Sequence, residues 1–152
     1  MLSALTDTGK LRVTLHHDRF DGVDERAPRV RFGQVHVYDN LYVIHDPATY
    51  VYSWGVGVQS QLFIQNNFFA TDPGVAPARF ITVFGGTKIH ATGTLVNGFS
   101  ARDRVDVVAA YNAAHGVALS QDVGWTPTLV RRLDPTQAVP FLVGAFAGPG
   151  RA

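Results

Sequence analysis

A repeated pattern of strands and polar corner residues most strongly limits how this chain can fold. Three segments, residues 13–21, 35–43 and 62–70, share one template: an alternating strand, a polar pair ending in Asn or Asp, and then an aromatic residue. Asp18, Asn40 and Asn67 hold equivalent positions, 22 and 27 residues apart. Such spacings are typical of a solenoid in which each repeat forms one coil. A weaker fourth copy is predicted at residues 93–98, with Asn97 as its polar residue.

The repeat alternates with a period of two, which indicates strands and excludes a helical repeat. Stacked coils place equivalent residues about 4.8 Å apart, so Asn side chains at one corner can hydrogen-bond from coil to coil. Three shorter strand-like pieces, residues 28–32, 50–54 and 80–84, supply the remaining sides of the coils. The pattern predicts an all-β fold, a right-handed parallel β-helix.

The character of the sequence changes after Asn97. A short helix is predicted between Ser100, a potential N-cap, and Gly116, which ends it. The remainder is punctuated by Pro and Gly and is predicted as loops that cover an end or a flank of the coils. We therefore expect residues 1–98 to form the coils and residues 99–152 to form a helix and loop segment packed on them in the same domain. Because no capping element precedes the first repeat, the sequence also predicts an N-terminally truncated β-helix.

Composition narrows the classes of function. The 152 residues are 46% hydrophobic and 16% charged, which suits one globular core. A formal net charge of +1 lacks the basic excess of proteins that bind nucleic acids or acidic membranes. The absence of cysteine excludes disulfides, thiolate zinc sites and a cysteine nucleophile. The chain also contains no apolar run long enough to span a bilayer and no signal-peptide pattern.

The densest group of chemically useful residues is the arginine segment, residues 25–33. Pro28 favours an extended path, so Arg29 and Arg31 are predicted to share one face of a strand, with Arg26 on the turn before it. Guanidinium groups placed in this way suit carboxylates, which they bind in a bidentate manner. The alternative is a solvated basic strand paired with neighbouring acidic residues.

Histidines and aromatic residues form the second group of candidates. His16 and His17 are neighbours on a strand and point to opposite faces, so they are poorly placed to bind one metal ion together. No acidic residue at a known spacing completes a zinc site with them or with His36, and no metal ligand is predicted. We expect one histidine to be buried in the coil stack and hydrogen-bonded to the neighbouring coil. The aromatic residues of the coils either form core or line a groove that stacks on sugars.

Three consecutive motifs resemble the pectate lyase superfamily, the calcium-dependent polysaccharide lyases of family 1. They are Val13-Thr-Leu-His-His-Asp-Arg-Phe, the box Arg26-Ala-Pro-Arg-Val-Arg31, and Val35-His-Val-Tyr-Asp-Asn-Leu-Tyr. The resemblance continues through residues 50–57, 65–69 and 122–127. It implies the C-terminal half of a catalytic domain built as a right-handed parallel β-helix.

The resemblance also implies an activity and a site. Family members cleave polygalacturonate by β-elimination, removing the C5 proton of a galacturonate and expelling the C4 glycosidic oxygen. By resemblance, Arg26 is the general base and Arg31 binds a substrate carboxylate. Arg29, which shares the face of Arg31, is expected to bind substrate as well. A guanidinium ordinarily stays protonated, and the resemblance implies that clustered cations and bound calcium favour its neutral form. The calcium ligands and a substrate-binding lysine are expected upstream of this chain.

Further consequences of the resemblance concern partners and location. The implied partner is polygalacturonate or pectin, with a missing N-terminal half as a second possible partner, and the implied location is extracellular. Such a chain is expected to have weak or no activity by itself. Two alternatives remain open: a non-catalytic β-helical module that binds acidic polysaccharide, and a purely structural remnant.

Overall fold

Eleven short strands form three parallel sheets in a computed structural model that describes residues 4–148. Predictions that fall on residues 1–3 or 149–152 lie outside the described residues. Sheet A contains β1 (Leu11–His16), β4 (Gly33–Tyr38), β7 (Gln61–Gln65) and β10 (Ile89–Thr92). Sheet B contains β2 (Arg19–Asp21), β5 (Leu41–Ile44), β8 (Phe68–Thr71) and β11 (Leu95–Val96). Sheet C contains β3 (Arg29–Val30), β6 (Trp54–Gly57) and β9 (Ile81–Phe84).

The chain visits the sheets in the repeating order A, B, C, which is the path of a parallel β-helix. Every pair of neighbouring strands in the three sheets is parallel. Val35 lies opposite Val13 on one side and Leu62 on the other, so the register steps are the predicted 22 and 27 residues. The predicted fold class is confirmed.

The interior of the coils is apolar and rich in aromatic rings. In sheet B, Phe20 stacks on Tyr42 with ring centroids 4.9 Å apart, and Tyr42 stacks on Phe69 at 4.6 Å. Phe69 in turn stacks on Phe80 at 3.8 Å. Trp54 is fully buried beside this column and donates its indole N–H to the Tyr42 hydroxyl. These rings serve the core, whereas Tyr38 and Phe63 lie on the outer face of sheet A, only partly buried.

A ladder of side-chain amides occupies the corner between sheets A and B. Oδ1 of Asn40 accepts the backbone N–H of Asp18 at 2.8 Å, and Oδ1 of Asn67 accepts the backbone N–H of Asn40 at 3.0 Å. The Nδ2 groups of the two asparagines donate to the carbonyl oxygens of Leu15 and Val37. Asn40 and Asn67 are fully buried. The predicted ladder is therefore present at Asn40 and Asn67, whereas Asp18 is exposed and contributes its backbone N–H.

The fourth copy of the ladder residue differs from the prediction. Leu95 lies opposite Phe68, so Thr94, and not Asn97, follows Asn67 in the stack. Thr94 is buried, and its hydroxyl has no hydrogen-bond partner within the described part of the chain. Asn97 instead lies three residues later, where it bonds to the backbone of Thr71 in both directions. The repeat pattern alone does not separate the two candidates, because Thr94 and Asn97 are both polar residues next to the short strand β11.

Two helices follow the strands and cover different surfaces. Helix α1 (Val107–His115) is capped by Asp106 and ends at Gly116, whose φ of +62° is left-handed. Its buried residues, Val107, Val108 and Tyr111, join the main core. The predicted N-cap Ser100 caps only a short 3-10 turn at Ala101–Asp103. Within the described residues, neither helix is long and apolar enough to cross a membrane.

Helix α2 (Val139–Phe146) was not predicted, because its Pro140 indicated a loop. Proline is tolerated in the first turn of a helix, where the N–H it lacks would have no helical partner. Val139 and Val143 are buried against the outer face of sheet B, on Leu41, Phe68 and Leu95. The segment predicted as a covering loop therefore covers sheet B with a helix.

Replacing Asn67 by Ala should destabilise the fold by about 3 kcal/mol, because buried backbone groups on two coils lose their partners. Asn97→Ala is the matched control: it also removes two bonds to backbone, but at an exposed site, and should cost less than about 1 kcal/mol. Urea unfolding monitored by circular dichroism measures both changes. Equal losses for the two variants would contradict the importance of the buried ladder.

Candidate active site

The three predicted arginines lie at the first strand of sheet C and on the turns at its two ends. Arg26 precedes β3 on the turn from sheet B and has a left-handed φ of +66°. Arg29 is the first residue of β3, and Arg31 follows its last residue. Because Val30 points into the core and is fully buried, Arg29 and Arg31 project from the outer face, as the alternation predicted.

Glycines on the neighbouring strand make room for two of these side chains. Arg29 lies opposite Gly55, and a Cβ atom on Gly55 would approach Cγ of Arg29 to 2.7 Å. A Cβ atom on Gly57 would approach Cγ of Arg31 to 2.6 Å. Contacts this short do not occur between real side chains, so the outer face of β6 must be bare for the arginines to lie across it. The sequence signal was available in the alternation Trp54-Gly-Val-Gly57.

The guanidinium of Arg29 reaches across β6 and stacks on an aromatic ring of β9, two coils further along. Its central carbon lies 3.7 Å from the centroid of the Phe84 ring, a geometry that gives a favourable cation–π interaction. The ring of Tyr52 also contacts Phe84, with the two ring centroids 5.3 Å apart. The Tyr52 hydroxyl is buried and has no hydrogen-bond partner among residues 4–148. Sequence reasoning missed Phe84 because it lies 55 residues from Arg29 and no local motif joins them.

Arg26 is held differently, by its sequence neighbour. Its Nε atom lies 2.9 Å from Oε1 of Glu25, and the Arg26 side chain is 57% exposed. An exposed pair of this kind contributes little stability. A non-glycine residue with a left-handed backbone is uncommon, and such strained positions cluster at functional sites. The guanidinium group therefore faces solvent on a turn whose conformation the surrounding fold imposes.

The arginines lie on an open face and not inside a cavity. A groove of about 460 Å³ begins next to them, where sheet C passes into sheet A. Phe32, Gln34, Gln59, Gln61 and Lys88 are among its lining residues, and none of the three arginines is. An open face with fork-shaped cations is suited to a long anionic chain that lies across it and presents successive carboxylates.

The histidines separate into two roles. His36 is 2% exposed, and its Nε2 atom lies 3.0 Å from Oε1 of Gln65 on the next coil, so it is the buried structural histidine that the sequence predicts. Burial lowers the pKa of His36. His17, in contrast, meets two acidic residues, Asp39 and Asp134, at the corner between sheets A and B. The 22-residue step of the repeat relates His17 to Asp39, but Asp134 lies 95 residues beyond Asp39 and outside the repeat, so spacing in the sequence could not complete the group.

Comparison with known proteins settles the family. A family model described as pectate lyase matches residues 3–115. The chain belongs to the pectate lyase family. The pectate lyase of Bacillus subtilis (strain 168) is 41% identical over 153 residues, covering 98% of this chain and 34% of the relative. Pectate lyase E of Dickeya dadantii (strain 3937) is 40% identical over 103 residues, covering 62% of this chain and 26% of the relative.

Solved structures of pectate lyases have the same fold. A thermostable pectate lyase superposes with a TM-score of 0.88 at 42% identity, covering 99% of this chain and 37% of that one. A pectate lyase bound to a hexasaccharide superposes with a TM-score of 0.82 at 40% identity, covering 98% of this chain and 36% of that one. The chain thus spans between about a quarter and a third of the length of the curated relatives it matches.

In this pectate lyase family member, the glycine opposite Arg29 offers a direct test of how the arginine is positioned. Gly55→Ala should destabilise the fold by about 1–3 kcal/mol, because the new methyl group clashes with Arg29 and Tyr52 and separates Arg29 from Phe84. Gly144→Ala is the control, since a Cβ atom there would meet none of residues 4–148 within 4 Å. In helix α2 that change should stabilise by about 0.5–1 kcal/mol. Urea unfolding measures both, and a neutral Gly55→Ala would contradict the close packing described above.

Proposed function

We propose that this chain carries the arginine half of a lyase site that cleaves polygalacturonate by β-elimination. Membership of the pectate lyase family supports the reaction class, and the arrangement of Arg26, Arg29 and Arg31 along sheet C supports the substrate class. The observation that carries the proposal is the solvent-facing guanidinium of Arg26, which a left-handed turn holds at the end of the strand that presents the other two arginines. Each successive uronate of the polymer offers one carboxylate to such a row.

The proposed roles follow from position. Arg29 and Arg31 bind carboxylates of the polymer, and Gly55 and Gly57 let both side chains lie along one face. Arg26, in its neutral form, accepts the C5 proton of the bound uronate. The electron pair of the broken C–H bond forms a C4–C5 double bond, and the C4–oxygen bond breaks, so that the glycosidic oxygen leaves and takes up a proton. The product is an unsaturated uronate at the new chain end.

The ion pair with Glu25 bears on the role of Arg26 as a base. The Nε atom of Arg26 lies 2.9 Å from Oε1 of Glu25, and both side chains are exposed. For Arg26 to accept a proton, we propose that the substrate displaces the Glu25 carboxylate from Arg26.

Calcium is the cofactor that the family implies. The acidic residues beside the arginines are too few to form a calcium site by themselves. Calcium takes six to eight oxygen ligands, several of them carboxylates. Glu25 is paired with Arg26, and Asp24 accepts a hydrogen bond from Thr49. Within residues 4–148, the one group of three potential ligands lies at the other corner of the coils. We propose that a calcium requirement would have its acidic ligands outside the described residues.

Location follows from the substrate. Polygalacturonate is a polymer too large to enter a cell, so we propose that the chain acts outside the cell.

Replacing Arg26 by Ala should lower lyase activity by about 100-fold or more, the usual effect of losing a general base. The measurement is the ultraviolet absorbance of unsaturated uronate released from polygalacturonate, with added calcium and in parallel with a chelator. Arg19→Ala is the matched control, because Arg19 is also an exposed arginine paired with a neighbouring acid, but it lies on sheet B. Its activity should equal that of the unchanged chain.

Binding separates this proposal from the non-catalytic alternative. Retardation of the chain in gels that contain polygalacturonate measures binding without catalysis. Binding without product, even with calcium, would assign the chain the binding role alone. A folded chain that neither binds nor cleaves, or an Arg26→Ala variant with full activity, would overturn the assignment of the arginines.

A further inference from the structure

The corner between sheets A and B carries a second polar site, remote from the arginine segment in the coil path. His17, Asp39, Asn66 and Gly93 hold equivalent positions on four successive coils, one residue before each member of the ladder. All four have a left-handed backbone, with φ of +56°, +53°, +50° and +71°. The stack therefore repeats the same left-handed turn and places the side chains of His17, Asp39 and Asn66 in a line along this corner.

A crossing segment, residues 134–136, runs along this line and touches each coil. The backbone N–H of Asp134 donates to Oδ2 of Asp39 at 2.9 Å, and the carbonyl oxygen of Asp134 accepts Nδ2 of Asn66 at 2.8 Å. The hydroxyl of Thr136 donates to the carbonyl oxygen of Gly93 at 2.8 Å. The crossing segment is thus fixed by directional bonds, and this fixes the Asp134 side chain beside the first two coils.

Three potential ligand atoms converge at the point where the crossing segment meets those coils. Nε2 of His17 lies 2.9 Å from Oδ2 of Asp134, and ligand atoms of His17, Asp39 and Asp134 all lie within 4.8 Å of one another. Asp39 is fully buried, and its Oδ1 atom has no hydrogen-bond partner in the part of the chain that the structure describes. A buried carboxylate oxygen without a partner is costly. A cation at this point would relieve that cost.

We propose that His17, Asp39 and Asp134 bind one divalent transition-metal cation of the Zn²⁺ class. One imidazole nitrogen and two carboxylate oxygens suit Zn²⁺, with water as a fourth ligand. Tetrahedral zinc holds its ligand atoms roughly 3.4 Å apart, which lies between the 2.9 Å contact and the 4.8 Å limit of this group. Calcium and magnesium prefer sites made of oxygen alone, and a site with an imidazole ligand discriminates against them.

The surroundings of the three ligands fit this assignment. Nδ1 of His17 lies 2.9 Å from Nδ1 of His16, so His17 can donate from Nδ1 and present the lone pair of Nε2 to the ion. Metal-binding histidines commonly use their second nitrogen in this way, which fixes the ring. The side chains of His17 and Asp134 are 39% and 33% exposed. An ion can therefore reach the group from solvent, whereas Asp39 closes it on the inner side.

Binding at this place would have a structural consequence. The ion would join the first coil, the second coil and a segment that is about 95 residues further along the chain than Asp39. An ion that binds the folded state and not the unfolded chain raises the free energy of unfolding, by an amount that grows with the logarithm of the free ion concentration above its Kd. The site is independent of the proposed lyase reaction, because the arginines of sheet C take no part in it.

The test uses the 152-residue chain, treated with chelator and then titrated with Zn²⁺, Ca²⁺ or Mg²⁺. Calorimetric titration should give one Zn²⁺ per chain, and Zn²⁺ should raise the thermal unfolding midpoint by several degrees, whereas Ca²⁺ and Mg²⁺ should not. Asp39→Asn keeps an oxygen that accepts the Asp134 N–H but removes a charged ligand, so it should weaken Zn²⁺ binding at least about 100-fold and abolish the midpoint shift. Co²⁺ should give the visible bands of a tetrahedral site in the unchanged chain and not in Asp39→Asn.

His45→Gln is the matched control. His45 also pairs with an aspartate, Asp21, on the surface of the coils, but no third ligand joins that pair in the described structure. This variant should bind Zn²⁺ like the unchanged chain. The proposal is overturned if the unchanged chain shows no midpoint shift at micromolar Zn²⁺, if Asp39→Asn binds as tightly as the unchanged chain, or if Ca²⁺ binds as well as Zn²⁺.

Discussion

The register of the coils depends on the buried amide ladder. In a parallel sheet, a slip of one residue would turn every inward side chain outward. The apolar pattern opposes this slip only because apolar side chains would then face solvent. Asn40 and Asn67 add a directional constraint, because each amide must meet a backbone N–H on the preceding coil and a carbonyl oxygen on the same corner. Moving either strand would leave these buried groups without partners.

Both candidate sites follow from that register. Arg29 can stack on Phe84 only because Gly55 lies opposite it and leaves the surface of β6 bare. At another corner, His17 and Asp39 become neighbours because each precedes a ladder residue on successive coils. Residues that are distant in sequence but equivalent in the repeat therefore form columns. The solenoid produces sites along such columns without requiring any local motif.

The sequence predicted the repeating part of the molecule well, for a physical reason. Coil stacking imposes a fixed alternation and a fixed corner chemistry, and both are visible locally, as with Asn40 and Asn67. The same logic placed Arg29 and Arg31 on one face. Features outside the repeat could not be predicted in this way. Pro140 indicates a loop where the structure has helix α2. The repeat pattern predicts Asn97 in the ladder, whereas the register places Thr94 there. Asp134 was also missed, since nothing near it in the sequence shows that it crosses the coils.

The separation of the two sites has a consequence for how the fold carries function. The arginines lie on sheet C and its bounding turns, whereas His17, Asp39 and Asp134 lie where sheet A passes into sheet B, and the apolar core lies between these surfaces. A close-packed core has little room to deform. A bond formed at one corner, such as that between Asp39 and Asp134, therefore acts mainly by holding neighbouring coils at a fixed distance. Because the turn that holds Arg26 leads into a strand of the same coils, anything that stabilises their stacking also stabilises the conformation in which Arg26 faces solvent.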